Sequence, residues 1–290
     1  MSSDLSAVSS LKTPSLKSAY LRGQVELCAA FIRNAFLNML AYRLRYFMGI
    51  ITYVLFASVN YFVWQAVYAQ RTPGERINGF TINEMVTYVC IGWISRSMYF
   101  SSIDEEIDEL VRSGQISIFL LRPVHFHLMM ICQAAGESLF RLLFFSTPIL
   151  AAILLLYPVM LPPSFGVFIL FSFSTVFSFF IFAELNFIVG MLPFYLKSIE
   201  GITRAKYFLT QLLSGLLLPL SFFPAWLRPA IEILPFKNIA FVPLQMYLGK
   251  VAGMEILWLF ISQTLWLFLL VVAGQLLWKK AVRRLTLQGG

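Results

Sequence analysis

The chain has 290 residues, 59% of them hydrophobic and only 12% charged, with a formal net charge of +8. A soluble domain carries roughly 25% charged residues, so this composition excludes an ordinary soluble enzyme and calls for a bilayer as solvent. The positive charge does not point to nucleic acid, because Lys and Arg stand at the ends of apolar runs rather than in one patch.

From the N-terminus, residues 1–20 are polar and Ser-rich. They lack the apolar stretch of a cleavable signal peptide and read as a disordered cytoplasmic tail. Residues 21–45 mix Val25, Leu27, Phe31 and Phe36 with Arg22, Glu26, Arg33 and Arg43. That mixture predicts a connecting helix lying in the membrane interface, with a cytosolic helix packed on the loops as the alternative. Residues 46–278 read as a single transmembrane domain, and 279–290 as a basic cytoplasmic tail. Cys28, Cys90 and Cys132 are widely spaced, without metal-type spacing, and read as small packing residues.

Six spanning segments can be drawn: Tyr46 to Tyr68, Ile82 to Ile103, Leu128 to Leu156, Ser164 to Leu192, Tyr207 to Phe223 and Met254 to Trp278. The fold class is therefore all-α, a polytopic membrane protein. Arg33, Arg43, Arg45, Arg112, Arg122, Lys197, Arg204, Lys206, Lys279, Lys280, Arg283 and Arg284 fall on one side of that topology. The positive-inside rule makes this side cytoplasmic, with both termini on it, in a plasma or inner membrane.

The loop after the second span carries Ile103, Ile107, Leu110 and Val111 at helical spacing, with Asp104, Glu105, Asp108 and Glu109 on the other faces. Arg112 follows, and Gly114 is a helix stop. A short amphipathic helix results, suited either to docking into a cytosolic partner or to simple solvation. The carboxylates face solvent, and His125 and His127 point apart on a helix, so no metal site is expected.

Inside the spans stand Arg96, Glu137, Arg141 and Glu184. Charges in lipid are costly and face the bundle interior or a wet cavity. Glu137 and Arg141, four apart, can pair on one helix face. The expectation is an ion-pair network, with a gate or substrate contact as the alternative. The external stretch from Pro224 to Gly253 is too apolar for a solvated loop. Pro224, Pro229 and Pro235 break it around Trp226, which predicts short re-entrant or interfacial helices.

Nothing forms a catalytic constellation: there is no G-x-x-x-x-G-K-[ST], G-x-S-x-G or H-E-x-x-H motif. The chain reads as no enzyme and needs no cofactor of its own. The apolar spans are compatible with other classes of membrane protein. An ion-coupled secondary transporter would show internal repeats and mid-membrane polar sites. A membrane-embedded lipid enzyme would need a clustered catalytic set near an interface.

Three features carry a resemblance. The loop Glu109-Leu110-Val111-Arg112-Ser113-Gly114-Gln115-Ile116, followed by Phe119-Leu120-Leu121-Arg122-Pro123-Val124, is similar to the coupling-helix region of type-2 ABC exporter permeases of the compact six-helix branch. The exit of the fifth span, from Ser214-Gly215-Leu216 to Phe223-Pro224-Ala225-Trp226-Leu227, resembles that family's external re-entrant helices, and residues 21–45 its connecting helix. The resemblance implies a substrate pathway formed with a second permease, identical or related, in contact with membrane lipids. It also implies two cytosolic ATPase subunits, which bind ATP and Mg and contact Glu105, Asp108, Glu109, Arg112 and Gly114.

Overall fold

The computed structural model describes residues 16–41, 44–72, 74–121 and 124–285. Most of the expected N-terminal tail, together with Arg43, Arg122, Pro123 and residues 286–290, lies outside the described residues. Among those described, every element is helical apart from an isolated bridge between Ile77 and Phe80.

In chain order these are α1 (Leu16–Ala41), α2 (Leu44–Tyr68), α3 (Ile82–Tyr99), α4 (Ile103–Arg112), α5 (Ile116–Leu120), α6 (Phe126–Arg141), α7 (Thr147–Leu156), α8 (Phe165–Val189), α9 (Glu200–Leu213), α10 (Arg228–Ile233), α11 (Phe241–Tyr247) and α12 (Met254–Leu285). α1 begins inside the segment expected to be tail. A π-helical stretch, Leu142–Ser146, joins α6 to α7. Pro148 sits just beyond it. Its ring cannot coexist with a regular hydrogen bond to the preceding turn, and one wider turn absorbs the mismatch.

Among the described residues, four stretches are long and apolar enough to cross a bilayer: Met48–Tyr68, Phe126–Leu156, Phe165–Phe194 and Met254–Arg284. They coincide with the first, third, fourth and sixth expected segments. The other two are set apart by their sequences. α3 contains Glu84 and Arg96 and is buried along most of its length, so it faces protein rather than lipid. α9 has only 14 residues, including Arg204 and Lys206. It stops where Gly215 takes φ +83°, a conformation glycine adopts without penalty.

α3 is the centre of the bundle. The Tyr88 hydroxyl donates to the Gly215 carbonyl at 2.7 Å, and Gly92 lets Leu216 and Leu244 approach its backbone. A Thr81–Glu84 capping box starts the helix. Lys250 closes that end, with Nζ 3.0 Å from Glu84 and 4.4 Å from the centre of the Phe80 ring.

α1 packs lengthwise on α6. Cys28 reaches Cys132, Ile32 lies on Gly136, and the Phe36 and Phe140 rings meet at 5.9 Å. Equal one-turn steps on both helices mean that they run parallel. On α2, Met48, Ile51, Leu55, Val59 and Phe62 form an exposed apolar stripe. Such surface needs lipid or another protein. The molecule is thus an all-α polytopic membrane fold.

Candidate coupling surface and membrane charges

α4 forms because its four apolar residues fall on one stripe. Ile103 and Ile107 are fully buried, as is Ile116 of α5. Gly190 permits this docking, since a Cβ there would lie 2.8 Å from Ile107 Cδ1. Gly114, at φ +72°, ends the helical turn as its sequence predicts. The opposite face presents Glu105, Glu109 and Arg112 outward.

Two of the acidic residues are not where periodicity puts them. Asp104 is fully buried, not solvent-facing, and Lys206 Nζ donates to its Oδ2 at 2.6 Å. The same ammonium donates to Asn186 Oδ1 at 2.7 Å and lies 4.0 Å from the centre of the Tyr207 ring. Asn186 in turn donates to the Ser101 carbonyl at 2.7 Å. A buried carboxylate persists only with a cation and hydrogen bonds around it, and its cation here is 102 residues away in sequence. Asp108 also turns inward, its side chain 16% exposed and 3.6 Å from Arg112. It lines a cleft of about 340 Å³ with Glu200, Thr203 and Arg204 of α9.

Glu106 is half-buried on the α6 side, where Gln133 donates to it at 3.2 Å. Burial first, then the charge of Glu137, push its carboxyl up to about 8, against the opposing pull of Ser102 and Arg141.

The four membrane charges do not form one network. Arg141 pairs with Glu137 at 3.3 Å along α6, and also donates to the Ser97 carbonyl at 3.1 Å and to that of Phe100. It therefore caps the C-terminal carbonyls of α3. Arg96 donates to the Tyr53 hydroxyl at 2.8 Å and stacks on Phe100 at 4.9 Å. These residues line a cavity of about 310 Å³ between α2, α3 and α6. Glu184 stands elsewhere. Both its oxygens are 2.9 Å from His127 Nε2. His127 and Glu137 are ten residues apart on α6, about 15 Å along its axis. The spacing of His125 and His127 singles out neither of them, and nothing local in the sequence joins His127 to Glu184.

The segment from Pro224 to Asn238 is broken as its prolines require. The Pro224 carbonyl accepts from Leu227 and Arg228. Pro229 lies at the start of α10, and Pro235 opens a 3₁₀ turn to Asn238. Trp226 is 78% exposed, whereas Ile231 is buried against Leu220 and Phe223.

Bringing together a buried α3, an amphipathic α4 with an exposed acidic face, and proline-broken short helices before α12, the chain has the parts of a permease. The model for the ABC-2 family transporter protein matches residues 54–289. The chain belongs to the ABC-2 transporter family. This membership makes it a membrane permease of an ABC transporter, and the match begins in α2 and takes in every later element. Among curated proteins, none matches the sequence.

Proposed function

We propose that this ABC-2 permease is the membrane subunit of an ATP-driven exporter. It forms the substrate pathway with a second permease and is powered by separate cytosolic ATPase subunits that carry ATP and Mg. The observation that carries the reading is the build of α4. A short helix is anchored by Ile103, Ile107 and the Asp104–Lys206 pair, yet presents Glu105, Glu109 and Arg112 to the aqueous side. Such a helix can receive a push from outside and pass it inward as a rigid body. Through Lys206 and Asn186 that push reaches α9 and α8. The exposed stripe on α2 offers a surface for the second permease, and the segment bearing Pro224, Trp226, Pro229 and Pro235 reads as external helices dipping into the outer leaflet.

The test reverses charge only where α4 is exposed. Glu105→Lys with Glu109→Lys leaves Asp104 and Asp108 untouched, so the membrane domain still inserts. Like charges brought together at an interface can cost several kcal/mol. The expected outcome is loss of co-purification with the candidate ATPase, at an unchanged expression level. Normal ATPase binding by the double variant would remove α4 as the coupling element.

A further inference from the structure

Between α6, α8 and α12 runs an open groove of about 670 Å³. Its α12 wall is a single stripe: Leu267, Val271, Gln275 and Lys279, spaced four apart. Twelve residues of helix span about 18 Å, close to the roughly 15 Å hydrocarbon depth of one leaflet. The deep part is apolar, with Leu267 and Val271 facing Ile131 and Phe180. The mouth is polar and basic. Lys279 and His125 are exposed there, and Trp278 lies alongside at the end of the apolar run. Trp at that boundary marks head-group level.

The groove also contains one acid among its described lining residues, Glu184, and its side chain is turned away from the open space. The carboxylate is 3% exposed and held by His127, whose ring packs 4.2 Å from that of Phe187. Gly274 brings the α12 backbone against it, with Glu184 Oε2 3.3 Å from where a Cβ would stand. What remains free to meet a ligand is an apolar trough of acyl-chain length, closed at one end by a cation. The occupant with matching chemistry is a single amphiphile with an anionic head.

We infer that this groove is a binding site for an anionic phospholipid of the cytoplasmic leaflet. One acyl chain lies along Leu267 and Val271, and the phosphate meets Lys279 and His125. Basic pockets between helices on the cytoplasmic side are suited to anionic head groups. The inference requires that the chain sit in a bilayer with the C-terminal end of α12 at the cytoplasmic face, and makes no use of the ATPase partnership, so it stands or falls separately from that partnership.

The probe is phosphatidylglycerol carrying a photoreactive acyl chain, in vesicles of the full-length protein, against phosphatidylcholine with the same chain. Labelled peptides are then mapped by mass spectrometry. One basic residue near the surface contributes roughly a fivefold preference. The expected result is label on α6 and α12 lining residues, about fivefold stronger with phosphatidylglycerol. Lys279→Gln with His125→Gln should erase the preference, while Val271→Trp should remove the label at this site and spare label elsewhere. His127 is left intact, because its loss would strand Glu184. Equal labelling by the two lipids, an unchanged preference in the double variant, or protein–protein cross-links in place of lipid label would each overturn the inference. The last outcome would mean that another polypeptide covers the groove.

Discussion

Removing the Lys206 ammonium would leave Asp104 without its cation at a position with no exposure to water. Breaking one side of a buried pair costs about 3–5 kcal/mol, whereas neutralising both partners costs much less. Lys206→Met should therefore lower the thermal midpoint of the purified protein sharply, and Asp104→Asn added to it should restore most of the loss. A single variant as stable as the parent would show that the pair does not hold α4 in place. Glu106 supplies a pH dependence. Its carboxyl is raised from 4.5 to about 8 in the folded chain, so the folded state holds a proton that the unfolded state releases. Stability from this group is full below about 4.5 and is lost as pH rises toward and through about 8. Unfolding temperatures measured from pH 5 to 8.5 should fall more steeply in the parent than in Glu106→Gln, and parallel slopes would contradict the assignment. Neither residue could be placed from the loop sequence, because both depend on a side chain from a distant helix.

At the level of elements, the α1–α6 contact turns on one glycine. A Cβ on Gly136 would stand 2.2 Å from the Ile32 carbonyl oxygen and 2.9 Å from Ala35 Cβ. Backbone cannot yield as a side chain can, so Gly136→Leu should pry α1 off α6. Cys28 and Cys132, one turn back on each helix and within reach of each other, report on this directly. Mild oxidation should join them in the parent, seen as protection from thiol labelling, and should fail to do so in Gly136→Leu. Equal cross-linking in both would mean that the helices tolerate the added bulk. That residues 21–41 form a helix was legible from their residue mix. That α1 docks along α6 was not, because the decisive feature is an absent side chain on the partner.

For the whole molecule, Lys and Arg at the ends of the apolar runs lead us to expect both termini in the cytoplasm. A reporter active only in the cytoplasm, fused after Gly290, should be active. An inactive reporter on intact protein would reverse or re-count the spans. The count itself rests on α3 and α9, which lack the length and apolarity of the other four segments. Their place in the bundle depends on protein around them. α3 keeps Arg96 because Tyr53 and Phe100 surround it, and α9 keeps Lys206 because Asp104 and Asn186 do.

The sequence alone determined the solvent, the helical class, four of the six spans it drew, the amphipathic α4 with its glycine stop, and the proline breaks between Pro224 and Pro235. All of these follow from periodicity, composition and backbone chemistry within a few residues of one another. Tertiary structure decided which charges are partners. Glu137 and Arg141 could be paired from a four-residue spacing, but Glu184 chose His127 rather than Arg96, and Asp104 chose Lys206 rather than water. A charge at low dielectric takes whichever partner the packing brings within hydrogen-bonding distance, and spacing along the chain carries no record of that distance once the partners lie on different helices.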